Sequence, residues 1–490
     1  MIKRKNIIEL GFIFLLVLYF QNFITMIIAI LLQSESFEFI KVNFLSISSF
    51  LLFILVLFFI LYRRRMFFIF LPIIIIAFPN IINDLMPSFY IGKIGELNRS
   101  TFSLFTHIDI FLLFGIILFR KNKNTISVNS ATSFYYLIII SFYYSFILIF
   151  KINTLEDLYL LSVGNYFIRY SILFILLFLM ISMTNKLQKY IIYGLGLSVL
   201  LLFFESIINT QLHHLSRLTS GTLGVNVYGN IIAGITLFYI FLKSYLKINK
   251  LFKLLVIVTG IVIIILTQTK MALLVFFIVF NIVFILEFFK KVNSKFTILI
   301  LFLYILLLPI LYYYVSSNDM YVNVINSINS NGLEENRDTS SIFTRLLLID
   351  TSLNMINEYP ILGIGSGRWN YYKEDFGFPF HVLIDAHNDY LSFLSIFGIF
   401  IGSYFIIILL LIPSYYFLKE KRKKETFYFI WGIIPLSLVL AGFSNANTYK
   451  HQVAALIFLI FSIIHQNKKV YKNEHSNTRN KRNTKPLRRL

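Results

Sequence analysis

The amino-acid sequence predicts an all-α polytopic membrane protein, with about fourteen transmembrane helices and one large extracytoplasmic loop that contains a surface helix. Composition is the first reason. The 490 residues are 58% hydrophobic and 18% aromatic, and the 14% that are charged fall well below the roughly 25% usual in soluble domains. A water-soluble fold has no core large enough to hide that much apolar surface, whereas a helix of about 20 apolar residues satisfies its own backbone inside a bilayer. The second reason is that apolar runs recur from one end of the chain to the other. The third is that Lys and Arg fall in short clusters between those runs, which is how membrane topology is written in sequence.

The runs give spans near 7–32, 44–62, 66–82, 100–119, 131–150, 163–183, 190–208, 223–242, 251–268, 270–289, 296–315, 391–418, 426–444 and 453–465. The opening Met1 to Lys5 followed by an apolar stretch resembles the start of a signal peptide. That stretch is too long and lacks a small-residue cleavage site, so it is read as the first span. With the N-terminus inside, Arg63 to Arg65, Arg120 to Lys123, Lys186 to Lys189, Lys243 to Lys253, Lys290 to Lys295, Lys419 to Lys424 and the tail share one side. That side then holds about 32 of the 44 Lys and Arg. The net charge of +21 follows from these clusters; without a continuous basic face it does not point to nucleic acid. Residues 1–465 form one membrane domain, and the basic tail 466–490 is expected to be disordered against anionic headgroups in the cytoplasm. The chain has no cysteine, which excludes disulfides, thiol catalysis and zinc–thiolate sites. It shows no repeat of fixed period and no inverted symmetry between its halves.

Among the remaining Lys and Arg, Arg217, Lys270, Arg345 and Arg368 all fall on the outer side in this topology. Two of them, Arg345 and Arg368, lie in the loop 316–390, which is much longer than an ordinary connection. Within it, Ile342, Leu346, Ile349, Leu353 and Ile356 recur at helical spacing behind Ser340 or Ser341, with Pro360 beyond the end. This predicts a surface helix over 341–358 with its apolar stripe towards the membrane. Arg345 lies at the edge of that stripe, where a guanidinium reaches phosphate depth, either to grip a substrate phosphate or as an interfacial anchor. The stretch Pro360-Ile-Leu-Gly-Ile-Gly-Ser-Gly367-Arg368-Trp369 is rich in glycines that let backbone amides approach a ligand, although it lacks the ending of a phosphate loop. Next comes Asp385-Ala-His387-Asn388-Asp389-Tyr390, where the chain re-enters the membrane. A neutral imidazole steered by a carboxylate can take a proton from a sugar hydroxyl. Two other readings stay open for His387, a metal ligand together with His381 and the aspartates, and an ordinary interfacial histidine. Trp369, Tyr371, Tyr372, Phe376, Phe378 and Phe380 offer faces for sugars or form an interface belt. Asp109 and Arg169, both within spans, are expected to form a structural ion pair. His213 and His214 are read as loop residues without a chemical role.

Four segments, in order, resemble the O-antigen ligase and polymerase superfamily of bacterial surface-polysaccharide enzymes. Arg217-Leu-Thr-Ser-Gly221-Thr-Leu-Gly-Val-Asn226 resembles its Arg, Gly, Pro-Asn stretch, with Val225 where proline is usual. Thr267-Gln-Thr-Lys270 resembles its Ser-Arg hairpin, with Lys270 in place of the arginine. Arg345 through Gly367 resembles its loop helix and Pro-x-x-Gly-x-Gly, and His387-Asn-Asp-Tyr-Leu with Gly398 and Gly402 resembles its closing motif. The likeness covers about residues 200–405; the first six spans match by hydropathy alone.

The resemblance implies a bacterial inner-membrane glycosyltransferase working on the extracytoplasmic face. Its donor is an oligosaccharide on a polyprenyl diphosphate, and its acceptor is a glycan or a lipid. Arg217, Lys270 and Arg345 are then expected to hold the diphosphate and His387 to deprotonate the acceptor. Arg217, Arg345 and His387 are taken as the catalytic set, with Lys270, Arg368, Asn226, Trp369, Asn388 and Asp389 binding substrate. No metal and no cofactor is expected, and a chain-length regulator or a flippase are further candidate partners. A polymerase of O-antigen, capsule or exopolysaccharide is favoured, because a composition rich in Ile, Phe, Lys and Asn suggests the AT-rich genomes common for divergent surface-polysaccharide clusters. The alternatives are a ligase that passes finished glycan to a lipid or protein, and a flippase of lipid-linked glycan. A flippase is expected to line a midplane path with charge, whereas here most of the charge outside the topology clusters lies on one outer face.

Overall fold

The computed structural model describes residues 52–78, 107–119, 166–181, 184–212, 217–219, 225–242, 248–288, 337–365, 368–378, 386–411, 414, 427–443 and 452–464, and every regular element among them is helical. They are α1 (Leu52–Tyr62), α2 (Phe67–Ile76), α3 (His107–Phe119), α4 (Tyr166–Leu179), α5 (Asn185–Leu212), α6 (Val225–Phe241), α7 (Lys250–Leu266), α8 (Lys270–Phe288), α9 (Arg337–Glu358), the single turn α10 (Trp369–Tyr372), α11 (Asp389–Phe405), α12 (Ile433–Ala441) and α13 (Gln452–Ile464). Three tighter or wider turns adjoin them, Arg64–Met66 before α2, Ile406–Leu411 after α11 and Phe427–Gly432 before α12.

Among the described residues, one helix is long and apolar enough to cross a membrane, the stretch Asn185–Gln211 of α5. Helices α1, α3, α6, α8, α11, α12 and α13 supply shorter apolar segments. These helices fall on eleven of the expected spans without fixing the number fourteen; the spans expected at 7–32, 131–150 and 296–315 lie outside the described residues, as does the tail 466–490. Asp109 is buried in α3, and the side chain of Arg169 lies outside the described set. Close by, His107 Nε2 meets the Ile74 carbonyl at 3.0 Å, one of the carbonyls that the end of α2 leaves without an intrahelical partner.

The bundle is built around α6, which packs on α5, α7, α8 and α12. Its sequence is apolar on every side, and Tyr228, Ile231, Ile232, Ala233, Ile235, Leu237, Phe238 and Tyr239 are all inaccessible, the pattern of a helix surrounded by others. Small residues allow the close approaches. A Cβ on Gly260 of α7 would fall 2.0 Å from Thr236 Oγ1, and one on Gly194 of α5 would fall 2.2 Å from the Ile69 carbonyl oxygen of α2.

Contacts along α6 fix the direction of its neighbours. Gly234 lies against Ile434 and Ser437, and Phe238 packs on Trp431 with ring centroids 4.8 Å apart, so α12 runs antiparallel to α6 and ends beside its start. At the other end, Lys253 Nζ donates to the Leu242 carbonyl at 2.6 Å, Asn249 N–H donates to Tyr193 Oη, and Trp431 Nε1 donates to Gln188 Oε1. The clusters Arg63–Arg65, Lys186, Lys189, Lys250 and Lys253 therefore gather at one end of the bundle. Arg217, Asn226, Lys270 and the start of α11 gather at the other.

Replacing Gly194 by alanine should force α2 and α5 apart and cost about 1–3 kcal/mol, as overpacking does. Thermal unfolding in detergent reads this directly, and an unchanged midpoint would show that the approach at Ile69 is not as close as described.

Candidate functional site

The segment carrying Arg217 is a strap pinned between two helix ends. Leu218 N–H donates to the carbonyl of Leu266, the last residue of α7, at 2.9 Å. Asn209 of α5 donates to Thr219 at its carbonyl (3.2 Å) and hydroxyl (2.9 Å), while Thr219 N–H donates to Thr210 Oγ1 at 3.0 Å. Leu218 and Thr219 are buried by this docking and Arg217 is left exposed. On the other side of Leu266 the turn between α7 and α8 passes through Gln268 at φ 52° and releases Lys270, exposed, as the first residue of α8. The two cations thus flank a single helix end.

Helix α6 opens between them. Gly229 packs on Thr269 and Ala272 of α8, and Gly234 packs on α12. Residues turn by about 100° each along a helix, so Asn226 and Asn230 share a face that lies between those two contacts. Asn226 is half-buried and Asn230 fully buried. An amide buried to that depth in an apolar helix is costly unless it has work to do, and Asn230 is a residue that the sequence reading passed over. The signal was present as a lone polar position four residues after Asn226, one turn deeper on the same face.

The His387 motif docks on the end of α12. Asn388 caps α11, its Oδ1 accepting from Tyr390 N–H at 2.9 Å and Leu391 N–H at 3.1 Å, while its Nδ2 donates to the Phe443 carbonyl at 3.1 Å. Asp389 N–H donates to the Gly442 carbonyl at 2.9 Å, and Tyr390 Oη donates to the Val439 carbonyl at 2.8 Å. Asp389 is fully buried in the first turn of α11, where the helix dipole favours a carboxylate, and a Cβ on Gly442 would come 2.9 Å from its Oδ2. The Asn388 side chain is therefore committed to the turn, which Asp389 joins through its backbone N–H. His387, half-buried, is presented from it at φ 47°, a left-handed conformation that costs a non-glycine residue about 1–2 kcal/mol. Among the described residues the two non-glycine positions with positive φ are Gln268 and His387, both at this end of the bundle.

The loop helix is present as α9, starting a turn earlier than expected. Its apolar residues divide between two faces where the sequence suggested one. Leu348, Thr351, Ser352 and Met355 are buried, with α9 packed on α11, whereas Leu346, Ile349 and Leu353 remain exposed beside an exposed Arg345. The glycines that follow serve a different purpose from the one expected of them. Ile364 and Gly365 N–H donate to the Ser395 and Ile396 carbonyls of α11, at 2.9 and 3.0 Å, so these amides are committed to the protein and not to a ligand.

Arg368 is also placed differently from its expected role. It is buried, its guanidinium donates to the Ile364 carbonyl (3.4 Å) and Tyr372 Oη (3.2 Å), and it stacks over the Tyr372 ring at 5.0 Å. Trp369 is 1% exposed, which leaves no ring face for a sugar. Lys373 is buried as well, with Nζ 5.4 Å from the Phe378 ring centre, and loss of hydration holds its pKa below the ordinary lysine value. Asn354 Nδ2 donates to the Phe376 carbonyl and ties this turn back to α9. These residues form the loop's own small core.

The structure brings Arg217, Asn226, Lys270 and His387 to one end of the bundle. Among the described residues, Arg217 and Arg345 make no side-chain hydrogen bond or ion pair. Arg345 stands apart from that group, on α9, which packs on α11. Among the described residues no group of three or more His, Asp or Glu is placed to hold a metal; His381 and Asp385 lie outside them.

The described helices form an apolar bundle with Arg217, Lys270 and His387 gathered at one end. Residues 255–406, about a third of the chain, match the family model described as O-Antigen ligase, which supports the O-antigen ligase and polymerase superfamily that the motifs resemble. No curated protein matches the chain. The matched segment runs from α7 through α11 and includes Lys270, Arg345 and His387, with Arg217 and Asn226 upstream of it. Members of this superfamily are glycosyltransferase-like enzymes of the inner membrane, acting on lipid-linked glycan and an acceptor.

Alanine should separate the two kinds of cation by stability. Arg368→Ala loses a buried stack and two hydrogen bonds and is expected to cost about 2 kcal/mol, whereas Arg217→Ala and Arg345→Ala, both exposed, should stay within about 0.5 kcal/mol. Chemical unfolding of the three variants checks the ranking, and equal losses would contradict it.

Proposed function

We propose that this protein is a surface-polysaccharide polymerase that uses oligosaccharide on a polyprenyl diphosphate as donor, on the extracytoplasmic face of the inner membrane. The observation that carries the reading is the gathering of Arg217, Lys270 and His387 at the end of the bundle opposite the clusters Arg63–Arg65, Lys186, Lys189, Lys250 and Lys253. By the positive-inside rule those clusters belong in the cytoplasm, so the site end faces outwards.

The chemistry needs two things from the protein. A diphosphate is already a good leaving group, so negative charge must be neutralised as it grows on the departing oxygen, and the attacking hydroxyl must lose its proton. Arg217 and Lys270 flank the end of α7 as one pair of positive charges, and Arg345 adds a third from α9. Lysine at 270 brings charge without the two-pronged geometry of a guanidinium, which leaves bidentate grip to the two arginines. His387 accepts the proton of the acceptor hydroxyl, whose oxygen bonds to the anomeric carbon. The bond from that carbon to the phosphate oxygen breaks, and polyprenyl diphosphate leaves with inversion at carbon.

Ligase activity, transfer of finished glycan to a lipid or protein, uses the same residues and is favoured by the description of the matching family. A deletion strain separates the two. A single repeat unit left on the anchor supports the polymerase, and accumulated lipid-linked polymer supports the ligase.

His387→Ala is expected to lower turnover by roughly 10²- to 10⁴-fold with donor binding nearly intact. Arg345→Ala should weaken donor binding as well, because a phosphate contact exists in both ground and transition states. An assay on purified protein with lipid-linked donor, run with and without chelator, reads both. Full activity of the histidine variant removes the base assignment, and chelator sensitivity of the wild type reassigns His387 to a metal.

A further inference from the structure

Helix α11 is broken at Gly398, where φ is 77° and ψ 169°, and the break is filled by the chain that leaves α9. In an unbroken helix Ile399 N–H would donate to the Ser395 carbonyl. Here Ile399 N–H donates to the Pro360 carbonyl at 2.7 Å, and the vacated Ser395 carbonyl accepts from Ile364 N–H at 2.9 Å. The Ile396 carbonyl accepts from Gly365 N–H at 3.0 Å in the same way. Three backbone bonds between segments thus replace those that the helix lost.

The exchange needs two glycines in contact. A Cβ on Gly398 would lie 2.1 Å from the Ile361 carbonyl oxygen, and one on Gly363, at φ 65°, would lie 2.4 Å from the Ile396 carbonyl group. Neither clash is with a flexible side chain, so neither can be relieved without separating the two segments. Above the lock, Leu348, Thr351, Ser352 and Met355 of α9 are buried, with α9 packed on α11. The lock lies about 20 Å along α9 from Arg345 and about 14 Å along α11 from Asp389, at 1.5 Å per residue.

The geometry points to Gly363 and Gly398 as positioning residues that act through Arg345. They lock α9 and α11 into one body, so that the reach of Arg345 towards the diphosphate is set by the same helix that presents His387. This rests on the donor reading above, in which Arg345 contacts the diphosphate. Neither glycine carries a side chain that could reach a substrate, and the Ile364 and Gly365 amides are consumed by the lock.

The test is a double-mutant cycle on the full-length protein in nanodiscs, with binding of polyprenyl diphosphate and turnover of lipid-linked donor measured for wild type, Gly398→Ala, Arg345→Ala and the double variant. Gly398→Ala should weaken polyprenyl diphosphate binding by roughly 10-fold or more, as Arg345→Ala does, and the double variant should be no weaker than Arg345→Ala alone, because coupled residues are not additive. Multiplied losses, or unchanged binding in Gly398→Ala, would overturn the assignment. If Gly398→Ala does not reach the membrane folded, one alanine inserted between Glu358 and Tyr359 leaves both glycines in place and turns α9 by about 100°. That insertion should show the same loss and the same lack of additivity, and normal binding by it would equally overturn the proposal. Failure of the wild type itself to bind polyprenyl diphosphate would instead count against the donor reading.

Discussion

Three segments around the candidate residues are held by backbone carbonyls at a helix end or a helix break. The carbonyl of Leu266, at the end of α7, holds the strap of Arg217, and those of Gly442 and Phe443, just past α12, hold the turn of His387. The carbonyls of Ser395 and Ile396, freed at the break in α11, hold the loop after α9. In a setting where water is scarce, an unpaired carbonyl costs several kcal/mol, so the ends and breaks of apolar helices must find donors. This protein meets that demand with the loops that carry the candidate residues. The same bonds that complete the helices therefore fix where the cations and the histidine stand.

The arrangement explains the division of labour within the His387 motif. A histidine in a left-handed conformation persists when its neighbours over-determine it. Asn388 caps α11 and binds the end of α12 with the same side chain, and Asp389 sits in a space that exists because residue 442 is glycine. The motif reads as a string of polar residues, yet in three dimensions the Asn388 side chain is scaffold for His387.

Much of this was legible in the sequence. The all-helical class followed from apolar runs, because a period and a length survive without tertiary context, and α9 followed from the spacing of Leu346, Ile349 and Leu353. The separation of Arg217 and Lys270 from the other clusters followed from charge alternation. What stayed hidden depended on partners distant in sequence. The glycines of 360–367 look alike whether they approach a ligand or a helix, and the second face of α9 shows itself through α11. Arg368 was indistinguishable from Arg345 by residue type, since burial against Tyr372 is a tertiary fact. Asn230 was overlooked because one polar residue hardly alters the hydropathy of its span.

The central claim is that the gathered end of the bundle performs glycosyl transfer and does not merely move lipid-linked glycan. Purified protein in sealed vesicles, supplied with lipid-linked oligosaccharide isolated from the corresponding deletion strain and no nucleotide, tests it most directly. The account predicts release of free polyprenyl diphosphate in step with new, inverted glycosidic bonds. Donor that crosses the vesicle membrane intact, with no diphosphate released, would contradict it.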